Sequence, residues 1–327
     1  MSLSTDIDKA ISLQYRGFRG YGELEQLRRL FAPAFVSDLQ QALAADPTNG
    51  AITVTLGWID KRPYADMTVS GTEDFYEHKI TRPVELGDAA IFVMDVFTRD
   101  HQSFRTRTRG LIIQAKAAPK ASLPSVPVTA LSSSRPNLST NKELALLSNW
   151  PEFNLHLANG CRGPLLGTFT LKHLSSPPPY GWYAAAPGSK SAGWNTSGNW
   201  RSRWMCAPAV HGKLCDTTLG EVIEALFNRT KIDNTLVGAD CIPRRGVYSV
   251  GAPTNPSNAT DWDELCTILL QLTASNRQVS AGPPGVFVSF PYIPQIAAMV
   301  GAAWRKLLGL FKEKRFPVII IERNRMD

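Results

Sequence analysis

The chain has 327 residues, 43% of them hydrophobic and 19% charged, which is enough to bury a full core and argues against bulk disorder. The longest apolar stretches, Val318 to Ile321 and Ile296 to Leu310, are too short or too interrupted by Arg305 and Lys306 to span a bilayer, so no membrane segment is expected. A net charge of +7 admits a polyanionic partner; five cysteines without dense spacing, and no basic-then-apolar leader, lead us to expect reduced thiols in a cytoplasm.

Gly22 to Ala45 repeats apolar residues at three- and four-residue steps (Leu24, Leu27, Phe31, Phe35, Leu39, Leu43), the pattern of an amphipathic helix. Pro33 should kink it or split it in two. Ala51 to Ile59 and Leu86 to Phe97 read as strands. The polar, basic segment Thr98 to Arg109 is expected to turn the chain, and Gly110 to Ala117 to form a third strand, completing a meander behind the helix. Ala118 to Thr140 is rich in Pro, Ser and Ala and reads as a linker. Beyond it come a short helix from Lys142 to Leu147, strands at Phe153 to Leu157 and Leu165 to Leu174, and an irregular region from Ser175 to Arg203. Capped helices are expected near Asp216 to Asn228 and Thr260 to Ala274. Strand, helix and strand follow at Gly285 to Phe290, Pro294 to Lys314 and Pro317 to Glu322. The reading is mixed α/β, divided at residues 160/161 into a first unit and an α/β accessory region for substrate or partner recognition.

One constellation carries chemistry. Asp88 follows Gly87 at the head of a strand, while Gln114 and Lys116 stand two apart on the next strand and so share a face. A hairpin between these strands would bring Asp88 beside the pair. Phosphodiester hydrolysis needs a hard cation held by oxygens, an activated water and positive charge near the transition state. Asp88 offers a carboxylate oxygen, Gln114 a carbonyl oxygen, and Lys116 a charge that can orient water and stabilise the developing anion.

This arrangement resembles the PD-(D/E)xK nuclease superfamily, specifically the Mrr-like branch whose last motif is Gln-x-Lys, and the resemblance covers roughly residues 15 to 160. It implies a restriction-endonuclease-like mixed sheet flanked by helices in the N-terminal half, with an α/β elaboration behind it. It further implies Mg2+ (or Mn2+) held by Asp88, Gln114 and a glutamate from the preceding helix. Glu23 is the first choice for that glutamate, with Glu25 second and Glu85 a further candidate. DNA is the implied substrate and restriction or anti-phage defence the implied role, sometimes with an ATPase or helicase partner or as a homo-oligomer. A non-catalytic nucleic-acid-binding or scaffold subunit is the alternative.

Arg105, Arg107 and Arg109 lie in a segment from Arg99 to Lys120 that holds a single acid, Asp100, and are the candidate phosphate contacts. Cys206, His211 and Cys215 offer soft ligands, but their spacing is not a common zinc pattern, and buried free thiols are the preferred reading. Trp182, Trp194, Trp200 and Trp204 are read as pinning their loop to the core rather than stacking on bases. The cations near the end of the Ile296 to Phe311 stretch are those of a core helix's last turn.

Overall fold

The long N-terminal helical pattern breaks where proline requires it. Helix α1 (Leu3–Gln14), which the sequence reading did not anticipate, precedes α2 (Glu23–Leu30) and α3 (Pro33–Ala44). Pro33 occupies the first position of α3, where a missing N–H removes no intrahelical bond. The computed structural model describes residues 2–326 except 19–21, 60, 100–101, 121, 158–162, 189–199, 244–259, 274–276, 281–286 and 291–314; for 97–99, 102–106, 277–280, 287–290 and 325–326 only the backbone is described. The expected helix from Pro294 to Lys314 and Trp194 lie outside the described residues.

Strands β1 (Ala51–Ile59), β2 (Pro63–Asp66), β3 (Val84–Glu85), β4 (Ala89–Arg99) and β5 (Gln102–Ala118) follow, then α4 (Ser139–Asn149), β6 (Phe153–Leu157) and β7 (Leu165–Phe169). The second half adds β8 (Gly181–Pro187), β9 (Met205–Pro208), β10 (Thr217–Thr218), α5 (Leu219–Asn228) and the short β11 (Lys231–Ile232), β12 (Thr235–Leu236) and β13 (Ala239–Cys241). Helix α6 (Asp261–Leu272), β14 (Arg277–Ser280), β15 (Phe287–Phe290) and β16 (Phe316–Met326) complete the described elements. Both later helices start on a threonine capping box, Thr218 with Glu221 and Thr260 with Asp263.

Ten strands form one mixed sheet in the order β10-β9-β8-β5-β4-β16-β1-β14-β15, with β13 paired to β5 beside β8. β16 runs parallel to β4 and antiparallel to β1, and β8 runs parallel to β5. The expected division at 160/161 therefore does not separate two sheets. The run Val318-Ile-Ile-Ile321 is apolar on both faces because β16 lies inside the sheet, covered above and below. Ile320→Val, which removes one buried methylene, is expected to lower stability by about 0.5–1.5 kcal/mol in urea denaturation.

Alternation along the strands sorts the core into two layers. Ala89, Ile91, Leu111, Ile113, Ile319 and Ile321 face α1, α2, α3 and α5. Ala90, Phe92, Ile112, Tyr183, Val318 and Ile320 face α4, α6 and a smaller sheet ordered β3-β2-β6-β7. The basic segment from Thr98 to Arg109 is strand for most of its length, since β5 is already extended at Gln102 and pairs with β4 throughout. A second correction concerns Ser175 to Arg203. Its Gly181-Trp-Tyr-Ala-Ala-Ala-Pro187 stretch is a fully buried interior strand, although it contains no β-branched residue.

Candidate active site

Asp88 precedes β4 by one residue, and its backbone N–H donates to Ile113 O at 2.8 Å. This contact turns the carboxyl inward over β5, where Oδ2 accepts from Ala115 N at 2.9 Å and Gln114 Nε2 at 2.5 Å. Gly87 permits the approach, because a Cβ there would lie 2.5 Å from Ile112 Cγ2. Gly87→Ala is expected to cost about 1–3 kcal/mol by overpacking and to displace Asp88, measurable as a fall in the urea midpoint.

Gln114 and Lys116 share the face of β5 that carries Ile112, toward α4. The Lys116 ammonium stands 3.1 Å from Glu143 Oε1 on α4 and 3.9 Å from Glu23 Oε2 on α2. Helix α2 is fixed near the ends of β5 and β8, with Gln26 Nε2 donating to Pro187 O at 2.8 Å. Glu23 is half-buried and turned to the site, whereas Glu25 is exposed on the same helix. Glu85 points elsewhere: it pairs with Arg62 and accepts from the Tyr64 hydroxyl at 3.3 Å. Arg62 also reaches Asp88 Oδ1 at 3.6 Å. The structure thus brings together Asp88, Gln114, Lys116 and Glu23, and leaves Glu25 and Glu85 out.

Burial dominates the electrostatics. It raises the Asp88 carboxyl to about 7, with Glu23 and Glu143 adding to the rise and Lys116 and Arg62 opposing it. Burial also raises Glu23 against the pull of Lys116. For Lys116 burial works in the other direction, yet Glu143, Asp88 and Glu23 together hold its acidity below that of a free lysine. One ammonium is shared among three carboxylates.

Two oxygens in the cluster lack a partner. With Gln114 Nε2 engaged by Asp88, the amide oxygen Oε1 is buried and unpaired, as is Oε2 of Glu143. Among the described residues no three His, Cys, Asp or Glu side chains are gathered into a group that could hold a metal. Lys116 lies among the acids, paired with Glu143 and Glu23.

Glu143 and Arg62 were missed by the sequence reading. Glu143 lies inside the predicted Lys142 to Leu147 helix, but nothing local ties that helix to β5. Arg109 is a correction. As a β5 residue it is buried against the sheet and donates through Nε to Asp240 Oδ1 at 2.9 Å, so it is not a free phosphate contact. Arg229, just past the end of α5, joins it on Asp240 and also binds Asp95, which Arg323 holds at 2.6 Å. Arg107 is exposed, and the side chain of Arg105 lies outside the described residues.

Cys206 and Cys215 are buried free thiols, and His211 stacks on Phe75 with ring centroids 4.2 Å apart. Trp182, Trp200 and Trp204 are buried in the core, Trp204 donating to the Tyr15 hydroxyl at 2.7 Å. Among the described residues no helix is long and apolar enough to cross a membrane. Comparison with family models, curated proteins and solved structures finds no match to this chain.

Proposed function

We propose that the chain is a divalent-cation-dependent nuclease hydrolysing phosphodiester bonds in DNA, with a site of the PD-(D/E)xK, Gln-x-Lys type. The observation that carries this reading is the cluster at the β4–β5 edge, where Asp88 and Gln114 are hydrogen-bonded and Lys116 stands between Glu23 and Glu143. Asp88, Gln114 Oε1 and Glu23 would hold Mg2+ or Mn2+. When bound, the cation would supply Lewis-acid stabilisation of the phosphoryl oxygens and lower the pKa of a water. Lys116, released from part of its carboxylate shell, orients the attacking water and stabilises charge as it develops on the phosphate. Arg107, exposed on the adjoining hairpin, contacts the backbone of the substrate. The resemblance behind this reading extends to a defence role and to an ATPase or helicase partner.

A plasmid-nicking assay with Mg2+ tests the proposal. Cleavage by the wild type that is lost in Asp88→Asn, with DNA binding retained, supports it; DNA binding without cleavage in Mg2+ or Mn2+ overturns it. That second outcome fits a non-catalytic nucleic-acid-binding or scaffold subunit. One observation favours this second reading: Lys116 and Arg62 already neutralise much of the acid cluster.

A further inference from the structure

Two surface loops carry aromatic rings that the core does not use. Phe75 is 51% exposed and Tyr76 38%, at the tip of a short hairpin in which Glu73 stands opposite Lys79. Neither ring, nor that of the exposed His211, belongs to the two core layers. The three are nevertheless arranged: His211 stacks on Phe75 at 4.2 Å, 25° from parallel, and Tyr76 meets Phe75 edge-on at 5.3 Å. Hydrogen bonds fix both loops. Asp74 Oδ1 accepts from Tyr76 N at 2.8 Å and His78 N at 3.1 Å, while its Oδ2 accepts from Asn141 Nδ2 at 2.9 Å. Val126 O accepts from Gly212 N at 2.7 Å, and Lys213 O accepts from Val126 N at 2.8 Å. Single exposed apolar residues are ordinary. A fixed stack of rings, with Val210 and Leu214 exposed on the same loop as His211, marks a binding surface.

Both loops are anchored to the segment between β5 and α4. The His211 loop is held through Val126, and the hairpin through Thr81 N, which donates to Asn137 Oδ1 at 2.8 Å. That segment leaves β5 two residues after Lys116 and enters α4 four residues before Glu143, so it joins the ring stack to the candidate active site. Residues 101 to 142 contain no Asp or Glu, and Lys120 and Arg135 are exposed on the joining segment. Cations bordering open ring faces are the chemistry that holds a single strand, with phosphates on the charges and bases on the rings. A base inside a duplex already has both faces stacked and offers none. We propose that Phe75 and His211, with Tyr76 at their edge, form a stacking platform for an unpaired base of a nucleic-acid strand that enters the candidate site. This rests on the nuclease reading and deepens it, since it makes the substrate single-stranded or locally unpaired DNA.

Fluorescence anisotropy of a labelled oligo(dT) strand and of a labelled duplex, in EDTA so that neither is cleaved, tests this with the intact chain. Phe75→Ala should weaken strand binding about 5- to 100-fold, the range for one base losing its aromatic face, and Tyr76→Ala should weaken it less. Phe75→Tyr keeps a ring and should bind the strand within about 2-fold of wild type. Duplex binding should be unchanged in all three variants. Melting temperatures near that of wild type are expected, because both rings lie outside the core, so lost affinity reports a lost contact. Equal strand affinity in wild type and Phe75→Ala overturns the proposal, as does a wild type that binds or nicks duplex but holds no single strand. Both results leave the nuclease reading standing. A wild type that binds neither probe and nicks no plasmid in Mg2+ or Mn2+ overturns both readings. Self-association that Phe75→Ala abolishes, without strand affinity, also overturns the proposal and makes the patch an interface between copies of the chain.

Discussion

Replacing Lys116 by methionine is expected to lower stability by about 3–5 kcal/mol, the usual cost of breaking a buried ion pair from one side. Methionine fills much the same volume, so the loss reports charge rather than a cavity. Glu143 is only 4% exposed and Lys116 13%, and water cannot screen the carboxylates left behind. Among the described residues, removing Lys116 leaves Glu143, Asp88 and Glu23 near one another, with Arg62 as the cation beside Asp88. Urea unfolding of the variant, followed by circular dichroism, checks the figure. A loss under about 1 kcal/mol, the range of exposed pairs, would show that the cluster is far better solvated than its burial indicates. In the proposed mechanism the same change also removes nucleic-acid cleavage, even where the protein remains folded.

Asp88→Asn is the complementary case, with a large effect on activity and a small one on stability. Asparagine keeps the shape and an acceptor for Ala115 N and Gln114 Nε2, so the turn into β4 is preserved. It also removes a charge that burial disfavours, since the native carboxyl is raised to about 7. The stability change is expected to stay within about 1 kcal/mol, because no cavity or unpaired charge is created. Cleavage should fall on the order of 10²–10³-fold or more, the scale seen when one group stabilising transition-state charge is lost. Parallel plasmid-nicking and urea titrations separate the two effects. Equal cleavage by wild type and variant would remove Asp88 from the chemistry, whatever its position.

The two variants together distinguish structural from functional charge at one site. Under the proposed function Lys116 contributes to both, since it also neutralises buried acids in the resting protein. Asp88 is tolerated rather than required by the fold: its desolvation opposes folding, while its hydrogen bonds to Ala115 and Gln114 offset part of that cost. A buried acid that the fold does not need is the kind of group function retains.

Much of the local structure was legible in the sequence. The boundaries of β1 were read from alternating Ile52, Val54 and Leu56, and the break between α2 and α3 from Pro33. The pairing of Asp88 with Gln114 followed from period two plus a hairpin, because both constraints are local. Glu23 was distinguishable from Glu25 only in three dimensions, since two residues apart on α2 they point to opposite sides, Glu23 to β5 and Glu25 to solvent. β8 escaped notice because an Ala-rich strand between prolines has no β-branched residues, and its stability comes from β5 and β9 on either side.

The sequence alone determined the mixed α/β class, the existence of most elements and the grouping of Asp88, Gln114 and Lys116. Those features depend on periodicity, turn residues and neighbours on one hairpin. Only the tertiary structure decided that β16 joins the sheet between β1 and β4, that Arg109 serves Asp240, and that Glu143 closes over Lys116. Each of these joins residues far apart in the chain, and is selected by burial and charge compensation in the packed state rather than by any local preference.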